Sequence, residues 1–381
     1  MPRSAPHQHR SPRQRAVHSV RQWITDGKLA DGDALPSERT LAEQLTLARG
    51  TVRSALDELA REGLIAPAAG GQRRVQRGGR HGLLASTVAL LTGTPAIAAP
   101  ERVPMGQDTF IQLDLVRRLT GSGRHVLTVD PARLDAAGAD QLIASRPRGA
   151  IATYAVAAAA ERQDLLHRLV TGSVPVVAHG DARALRTIDH VTSDQEQGGY
   201  DLTRWLIAQG RRRILCFWRF PAERDWINDR YAGHLRAMRE AKLKPLPVLR
   251  TPELTIPSDR ADSFAALSRA LSGFLHEPLA AKGNAIDALM TATDGHAFQT
   301  AAACRLLGRT PGRDVLVTGY DHLGASCSEQ AFEPSGLAAT IDKDNPAIAA
   351  ALITLLDARI ANTLPDAPQR VVVPHRLIPL T

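Results

Sequence analysis

From Thr87 to its end, the chain alternates short apolar runs with helical patterns, and this alternation limits the fold more than any other feature of its 381 residues. Strands are expected at Val88–Leu91, His125–Val129, Ala150–Thr153, Val174–Ala178, Ile214–Phe217, Ala288–Thr291 and Val315–Thr318. Helical spacing falls between them, at Phe110–Thr120, Gln195–Gln209, Arg230–Ala241, His296–Leu307 and Ala347–Ile360. Parallel strands need long crossovers, which helices supply, so the pattern predicts α/β architecture with parallel sheets. Ligands in such folds sit outside the carboxyl ends of the strands.

The first part of the chain follows another rule. Val17, Val20, Trp23 and Ile24 recur at helical spacing between Arg13 and Gly27. Ser37, preceded by Pro36 and followed by Glu38, is a start signal for a second helix that places Leu41, Ala42 and Leu45 on one face. Thr46-Leu47-Ala48 makes a turn. A third helix then carries Val52, Ala55, Leu56 and Leu59 on its apolar stripe, ends at Gly63, and leaves Arg49, Gly50, Thr51, Arg53 and Asp57 on the other side or at its leading end. Guanidinium groups reach guanine edges and phosphates, while Thr and Gly allow close approach, so this helix is suited to a DNA major groove. A hairpin is expected next, with Leu64-Ile65-Ala66 as one strand, Ala68-Ala69-Gly70-Gly71 as the turn and Arg73 to Arg77 as the return strand.

Charge separates the two parts. The first 80 residues hold 14 Lys and Arg against 8 Asp and Glu, which is +6 of the net +8, and the remaining residues hold 33 basic and 31 acidic side chains. A basic head on a nearly neutral body is the footprint of nucleic-acid attachment at one end. Cys216, Cys304 and Cys327 match no metal or disulfide spacing, which fits a reducing compartment. Residues 1–10, rich in Pro, His and Arg, are expected to be a disordered tail, and His7 and His9 within it have no carboxylate or Cys nearby to complete a metal site. No apolar run suits a signal sequence or a membrane span, so a cytoplasmic protein without membrane attachment, cofactor or metal is expected.

The run LPSERTLAEQL, followed by Arg49, TVRSALDEL and REGLI, resembles the winged helix-turn-helix of GntR-type bacterial transcription regulators, from about Val17 to Val75. The resemblance implies an α+β DNA-binding domain at residues 11–78 and a linker at 79–86. Its DNA-contacting residues would be Arg39, Arg49, Gly50, Thr51 and Arg53, with Gly70, Gly71 and Arg73 in the wing. Two positions depart from the family: Ala48 stands where Ser is usual, and Gly70-Gly71-Gln72-Arg73 replaces a Gly-x-Gly-Thr wing tip.

Residues 87–381 resemble the effector domain of LacI/GalR-type regulators, carried by VPVVAHGDAR, by IDHVTSDQEQGGYDLTRWLIAQGRRRILCFW, by DRYAGHLRAMREAKL, by the stretch from Ile286 to Leu323, by ATIDKD and by VVVPHRLI. This resemblance implies an α/β, two-lobed, periplasmic-binding-protein-like body with chain crossovers near Thr192–Asp194, Thr340–Asp342 and the segment before Val371. Matched by position, Arg230 and Asp321 would hold ligand hydroxyls, Asp294 would lie beside them, and Phe220 and Trp226, in the loop before the Arg230 helix, would offer rings to a sugar face. His179, at another strand end, is a lesser candidate. Thr92 to Asp108 replaces the family's short ligand-contacting loop with a longer Pro-rich stretch, so no effector is named by analogy.

An enzyme is disfavoured. Gly121-Ser122-Gly123 lacks the third Gly of a dinucleotide fingerprint and follows a helix, and Gly324-Ala325-Ser326-Cys327-Ser328 lacks the last Gly of a nucleophile elbow. Two readings stand: a homodimeric repressor that binds double-stranded operator DNA under control of a sugar-like effector, or a cytoplasmic sugar-binding or transport-associated protein with a basic interaction module.

Overall fold

The structure, a computed structural model, describes residues 11–30, 32–61, 64–68, 72–75, 86–93, 106–158, 160–180, 183–220, 224–252, 254, 256, 260–280, 285–333 and 337–380. The expected tail at 1–10, Gly63, the wing-tip residues Gly70 and Gly71, linker residues 79–85 and residues 94–105 of the Pro-rich stretch lie outside them. The chain divides into two compact units, Met1–Val88 with Ser145–Arg148, and Ala89–Ala144 with Gly149–Thr381.

The first unit contains helices α1 (Pro12–Thr25), α2 (Glu38–Leu45) and α3 (Arg49–Arg61) and the antiparallel pair β1 (Ile65–Pro67) and β2 (Arg73–Val75). Ser11 opens α1 with a reciprocal capping box to Gln14, and Ser37 opens α2 by accepting the Thr40 N–H at 3.1 Å. Thr46, in the left-handed region at φ 54°, closes α2 and turns the chain into α3. Val17, Val20, Ile24, Leu41, Val52, Leu56, Leu59, Ile65 and Val75 make one core, with Trp23 packed at its margin. An unanticipated element completes the sheet: the Leu35 N–H donates to Arg73 O at 2.7 Å and the Val75 N–H to Asp33 O at 2.8 Å, so residues 33–35 flank β2.

The second unit begins within β3 (Thr87–Leu91) and runs α4 (Gln107–Gly121), β4 (His125–Val129), α5 (Ala136–Ala144), β5 (Gly149–Ala152), α6 (Tyr154–Ala157), α7 (Ala160–Thr171), β6 (Val176–His179) and β7 (Asp189–Ser193). It continues through α8 (Gln195–Ala208), β8 (Ile214–Trp218), α9 (Asp225–Glu240), β9 (Leu249–Arg250), α10 (Ala261–Ala280), β10 (Ala288–Thr291), α11 (Asp294–Leu306), β11 (Leu316–Thr318) and β12 (Ala339–Asp342). Helix α12 (Asn345–Ile360) and strands β13 (Arg370–Val373) and β14 (Arg376–Pro379) end it.

These strands build two six-stranded sheets, ordered β13-β7-β6-β5-β3-β4 and β14-β12-β11-β10-β8-β9. Each defines one lobe of the expected α/β body. The chain passes from the first sheet to the second between β7 and α8, returns between β12 and α12, and passes again between β13 and β14. The third crossover corrects the expectation that placed it before Val371: β13 still pairs in parallel with β7, from Arg370↔His190 to Val373↔Ser193, and the change of lobe comes at Pro374-His375. Proline breaks the ladder there because it has no N–H to donate. The first two crossovers leave from the carboxyl ends of β7 and β12, which puts the hinge on the side where parallel sheets collect ligands.

Candidate functional site

The DNA-reading candidates lie on the first unit. Arg39, Arg49, Gly50 and Arg53 are exposed and Thr51 is half-buried, all on the side of α2 and α3 opposite the core. A Cβ on Gly50 would meet nothing within 4 Å, so the leading end of α3 is open to a close approach. Ala48 accepts the Thr51 and Val52 N–H groups through its carbonyl at 2.9 and 3.1 Å and has no side-chain oxygen to cap the helix. Arg39 pairs with Glu43 at 3.4 Å.

Two of the candidates are held by carboxylates that sequence reading did not assign to the site. Arg53 donates through Nε and Nη2 to Glu38 Oε2 at 3.1 and 2.9 Å, and Arg73 donates to Asp57 at 2.6 Å while lying 3.9 Å from Glu38. The hydrogen bond from Arg53, followed by the charges of Arg53, Arg73 and Arg49, outweighs burial and holds the Glu38 carboxyl below its usual range. Glu38 thus sets the direction of the Arg53 guanidinium on the exposed side of α3.

The second candidate site gathers at the carboxyl strand ends of the second lobe, built on a close approach between helices. A Cβ on Gly199 of α8 would lie 2.1 Å from the Arg230 carbonyl oxygen, and one on Gly233 of α9 would lie 1.9 Å from the Glu196 carbonyl oxygen. Only glycine permits this contact, which seats Arg230 on the inner side of α9. Arg230 is 3% exposed; its Nε donates to Gln195 Oε1 at 2.8 Å and its Nη1 to Ala292 O at 2.7 Å. Its guanidinium carbon lies 3.3 Å from the Tyr320 ring centroid and 4.3 Å from that of Trp226, and Nη2 is 3.7 Å from Asp321.

Asp321 is also buried and pairs with Lys343 of the second crossover at 2.7 Å. Lys343 further donates to Gln107 of α4, so this ion pair ties the hinge to the first lobe. Asp321 and His322 both have positive φ, 90° and 53°, a turn that L-residues resist. Asp294 holds that turn together. Its carboxylate accepts the Leu323 and Gly324 N–H groups at 2.6 and 2.9 Å and the Thr340 hydroxyl at 2.7 Å. Burial, with the Asp321 charge adding to it, outweighs these bonds and raises Asp294 to about 7. The structure therefore brings Arg230 and Asp321 together and sets Asp294 behind them, its oxygens engaged within the fold.

Phe220 follows β8, but Trp226 is in the first turn of α9, because that helix starts at Asp225 and not at Arg230. Their rings meet edge to face at 5.9 Å, and Phe220 also lies 5.3 Å from the His296 ring. Arg219, which the sequence did not single out, donates to Gln299 Oε1 at 3.1 Å, and burial lowers it to about 10, leaving it cationic at neutral pH. Burial, together with the Arg219 charge, pulls His296 down to about 3, so its ring is neutral.

The first lobe contributes Asp108 and His179. Asp108 accepts the Tyr154 and Ala155 N–H groups at the start of α6, both at 3.0 Å, and lies 3.8 Å from His179 Nδ1. Burial pushes its carboxyl up, but the His179 ring and the Ala155 N–H together bring it below the usual range. Gly121-Ser122-Gly123 closes α4 and leads into β4, a helix-to-strand order opposite to that of a dinucleotide loop. A crevice of about 300 Å³ lined by Phe110, Leu113, Asp114, Arg117, Asn345 and Pro346 lies on α4 and α12, apart from the Arg230 cluster.

Comparison with known proteins finds a matching family profile in part of each unit. Residues 12–75 match the profile of bacterial regulatory proteins of the gntR family, and residues 203–379 match that of the periplasmic binding protein-like domain. The chain is 24% identical over 310 residues to the arabinose metabolism transcriptional repressor of Geobacillus stearothermophilus, covering 75% of this chain and 83% of the relative. Its fold is similar to that of the transcriptional regulator CelR in complex with cellobiose, with a TM-score of 0.59, 19% identity, and coverage of 90% of this chain and 98% of the other. A regulatory protein of the LacI family from Chloroflexus aggregans superposes with a TM-score of 0.57 at 20% identity, covering 77% and 97%.

Proposed function

Because the chain joins a gntR-family winged helix-turn-helix to a periplasmic binding protein-like domain, we propose that it is a sequence-specific transcription regulator, a repressor that grips a palindromic operator as a homodimer. A sugar or sugar derivative, bound between the lobes of the second unit, controls it. The observation that carries this reading is the pairing of two sites in one chain: an exposed basic helix end opposite a packed core, and a buried Arg230–Asp321–Lys343 cluster at a hinged cleft.

On DNA, the α3 end enters the major groove. Arg49 and Arg53 read base edges, Thr51 and Arg39 hold phosphates, and Arg73 with Gly70 and Gly71 follows the wing. In the body, Arg230 donates to adjacent hydroxyls of the ligand and Asp321 accepts from them, while the Trp226 and Phe220 rings cover its apolar face. Asp294 keeps the 321–324 turn in place. Closure around the ligand changes operator affinity by the difference in the ligand's affinity for the open and closed lobes. The names of the relatives support this direction, since the chain is similar to an arabinose metabolism transcriptional repressor and in fold to a transcriptional regulator in complex with cellobiose.

Footprinting on the DNA upstream of the protein's own gene, across a panel of sugars, tests both sites together. Protection that one sugar releases is the expected result, and Arg49→Ala and Arg53→Ala should each remove the protection. Survival of the footprint in both variants would sink the assignment of α3 as the reading helix.

A further inference from the structure

Resting on the reading of the second unit as an effector-binding body, we propose that the effector is anionic, a polyhydroxylated carbon frame bearing a carboxylate or a phosphate, and that Arg219 receives the charged group.

Arg219 is the residue after β8, at a carboxyl strand end of the second lobe. Among the described residues its guanidinium donates to Gln299, its Nε is buried without a partner, and no carboxylate comes within ion-pair distance of it. Arg219 is half-buried, and the Glu329 charge acts on it with Gln299 between the two, so the guanidinium keeps unused donors that an entering oxyanion can take. The carboxylates of this region are engaged elsewhere. Asp294 takes three donors, Asp321 takes Lys343 and lies against Arg230, and Glu329 accepts Gln299 Nε2 and the Ser328 hydroxyl, both at 3.3 Å.

Among the described residues, two further buried nitrogens in the loop and helix ends around Phe220 lack partners, Trp226 Nε1 and His296 Nδ1. The Phe220 ring touches both of their rings, and the Arg224 guanidinium covers the same ring at 5.1 Å. An indole nitrogen only donates, and so does a guanidinium. Among the described residues the corner thus offers unused donors from Arg219 and Trp226, with the neutral His296 ring able to donate through one nitrogen and accept through the other. A sugar hydroxyl brings a proton that needs an acceptor of its own, whereas a carboxylate or phosphate brings only acceptor oxygens and matches the planar Arg fork. Arg230 and Asp321 would then read the hydroxyls of the same molecule.

Calorimetry on the full-length protein tests this with matched ligands: D-galactose against D-galacturonate, and D-glucose against D-gluconate and D-glucose 6-phosphate. In at least one pair the anionic member should bind about tenfold more tightly or better, as charge-assisted hydrogen bonds require. The carboxylate and phosphate arms tell which group Arg219 takes. Arg219→Gln should bring the ratio close to one, and Arg219→Lys should keep part of it; the wild-type ratio stands as evidence even if the variants fold poorly. Equal binding of the neutral members, a preference that survives Arg219→Gln, or no binding of any anionic ligand would each overturn the inference. A neutral sugar that still releases the operator would overturn it and leave the regulator reading in place, while a protein that never protects the operator would overturn the regulator reading instead.

Discussion

The two charged clusters of this protein use the same chemistry in opposite settings. In the first unit, Arg53 and Glu38 pair at a surface where the arginine side chain is 62% exposed, while in the second, Arg230 and Asp321 are 3% and 10% exposed, with Arg230 between the Trp226 and Tyr320 rings. Water screens the first pair and weakens it, so an incoming phosphate or base displaces it at small cost. The second pair has little water to fall back on, and each of its charges depends on the others. The surface proposed to read DNA is therefore loosely held and the cluster proposed to hold the effector tightly held.

The sharpest way to break this comparison is Asp321→Ala. It leaves Lys343 and Arg230 without their carboxylate, and the unfolding transition of the second unit should lose about 3–5 kcal/mol in denaturant melts. A loss below about 1 kcal/mol would mean that the cluster is as well solvated as the surface pair. Next comes Gly233→Ala, which sets a methyl 1.9 Å from the Glu196 carbonyl oxygen and 2.7 Å from the Tyr200 nitrogen. Prising α8 from α9 should cost about 1–3 kcal/mol and move Arg230, seen as a weakened effector response.

Asp294→Asn probes charge alone. In the folded protein the Asp294 carboxyl is raised to about 7, above its unfolded value, so the native state holds its proton more firmly. Its contribution is complete below the unfolded value and is lost as the pH rises through about 7, near 2 kcal/mol between about pH 5.5 and about pH 8.5. Thermal melts over that range should fall for the wild type and stay flatter for Asp294→Asn; parallel curves would show that the carboxylate is stabilised by its three donors after all. The smallest effect belongs to Glu38→Gln. The melting midpoint of the first unit should stay within about 2 °C, while the salt dependence of operator binding steepens by about one unit as Arg53 becomes free to replace counterions. A large loss of stability would place Glu38 among structural groups and remove the contrast between the clusters.

Legibility in the sequence followed the range of the interactions. The three helices of the first unit, the Ser37 cap and the Thr46 turn could be read because apolar spacing and capping are local. The same holds for β4 and β10, whose ends coincide with their apolar runs. Strand β7 was missed because its Asp189 hides the pattern, and that charge is buried only because Arg359, 170 residues away, pairs with it. Helix α10 has a regular stripe of Phe264, Leu267, Leu271, Leu275 and Leu279, but Pro278 near its end breaks the reading.

The candidate sites divide in the same way. By itself the sequence determined a basic amphipathic helix, an α/β body and the positions of Arg230 and Asp321, since each rests on periodicity, charge or a motif within a few residues. Only the tertiary structure decided that Asp294 holds the 321–324 turn, that Lys343 links Asp321 to Gln107, that Trp226, His296 and Arg224 gather around Phe220, and that Arg219 reaches Gln299. These contacts join residues far apart in the chain, and their energies depend on burial, which no local pattern of residues specifies.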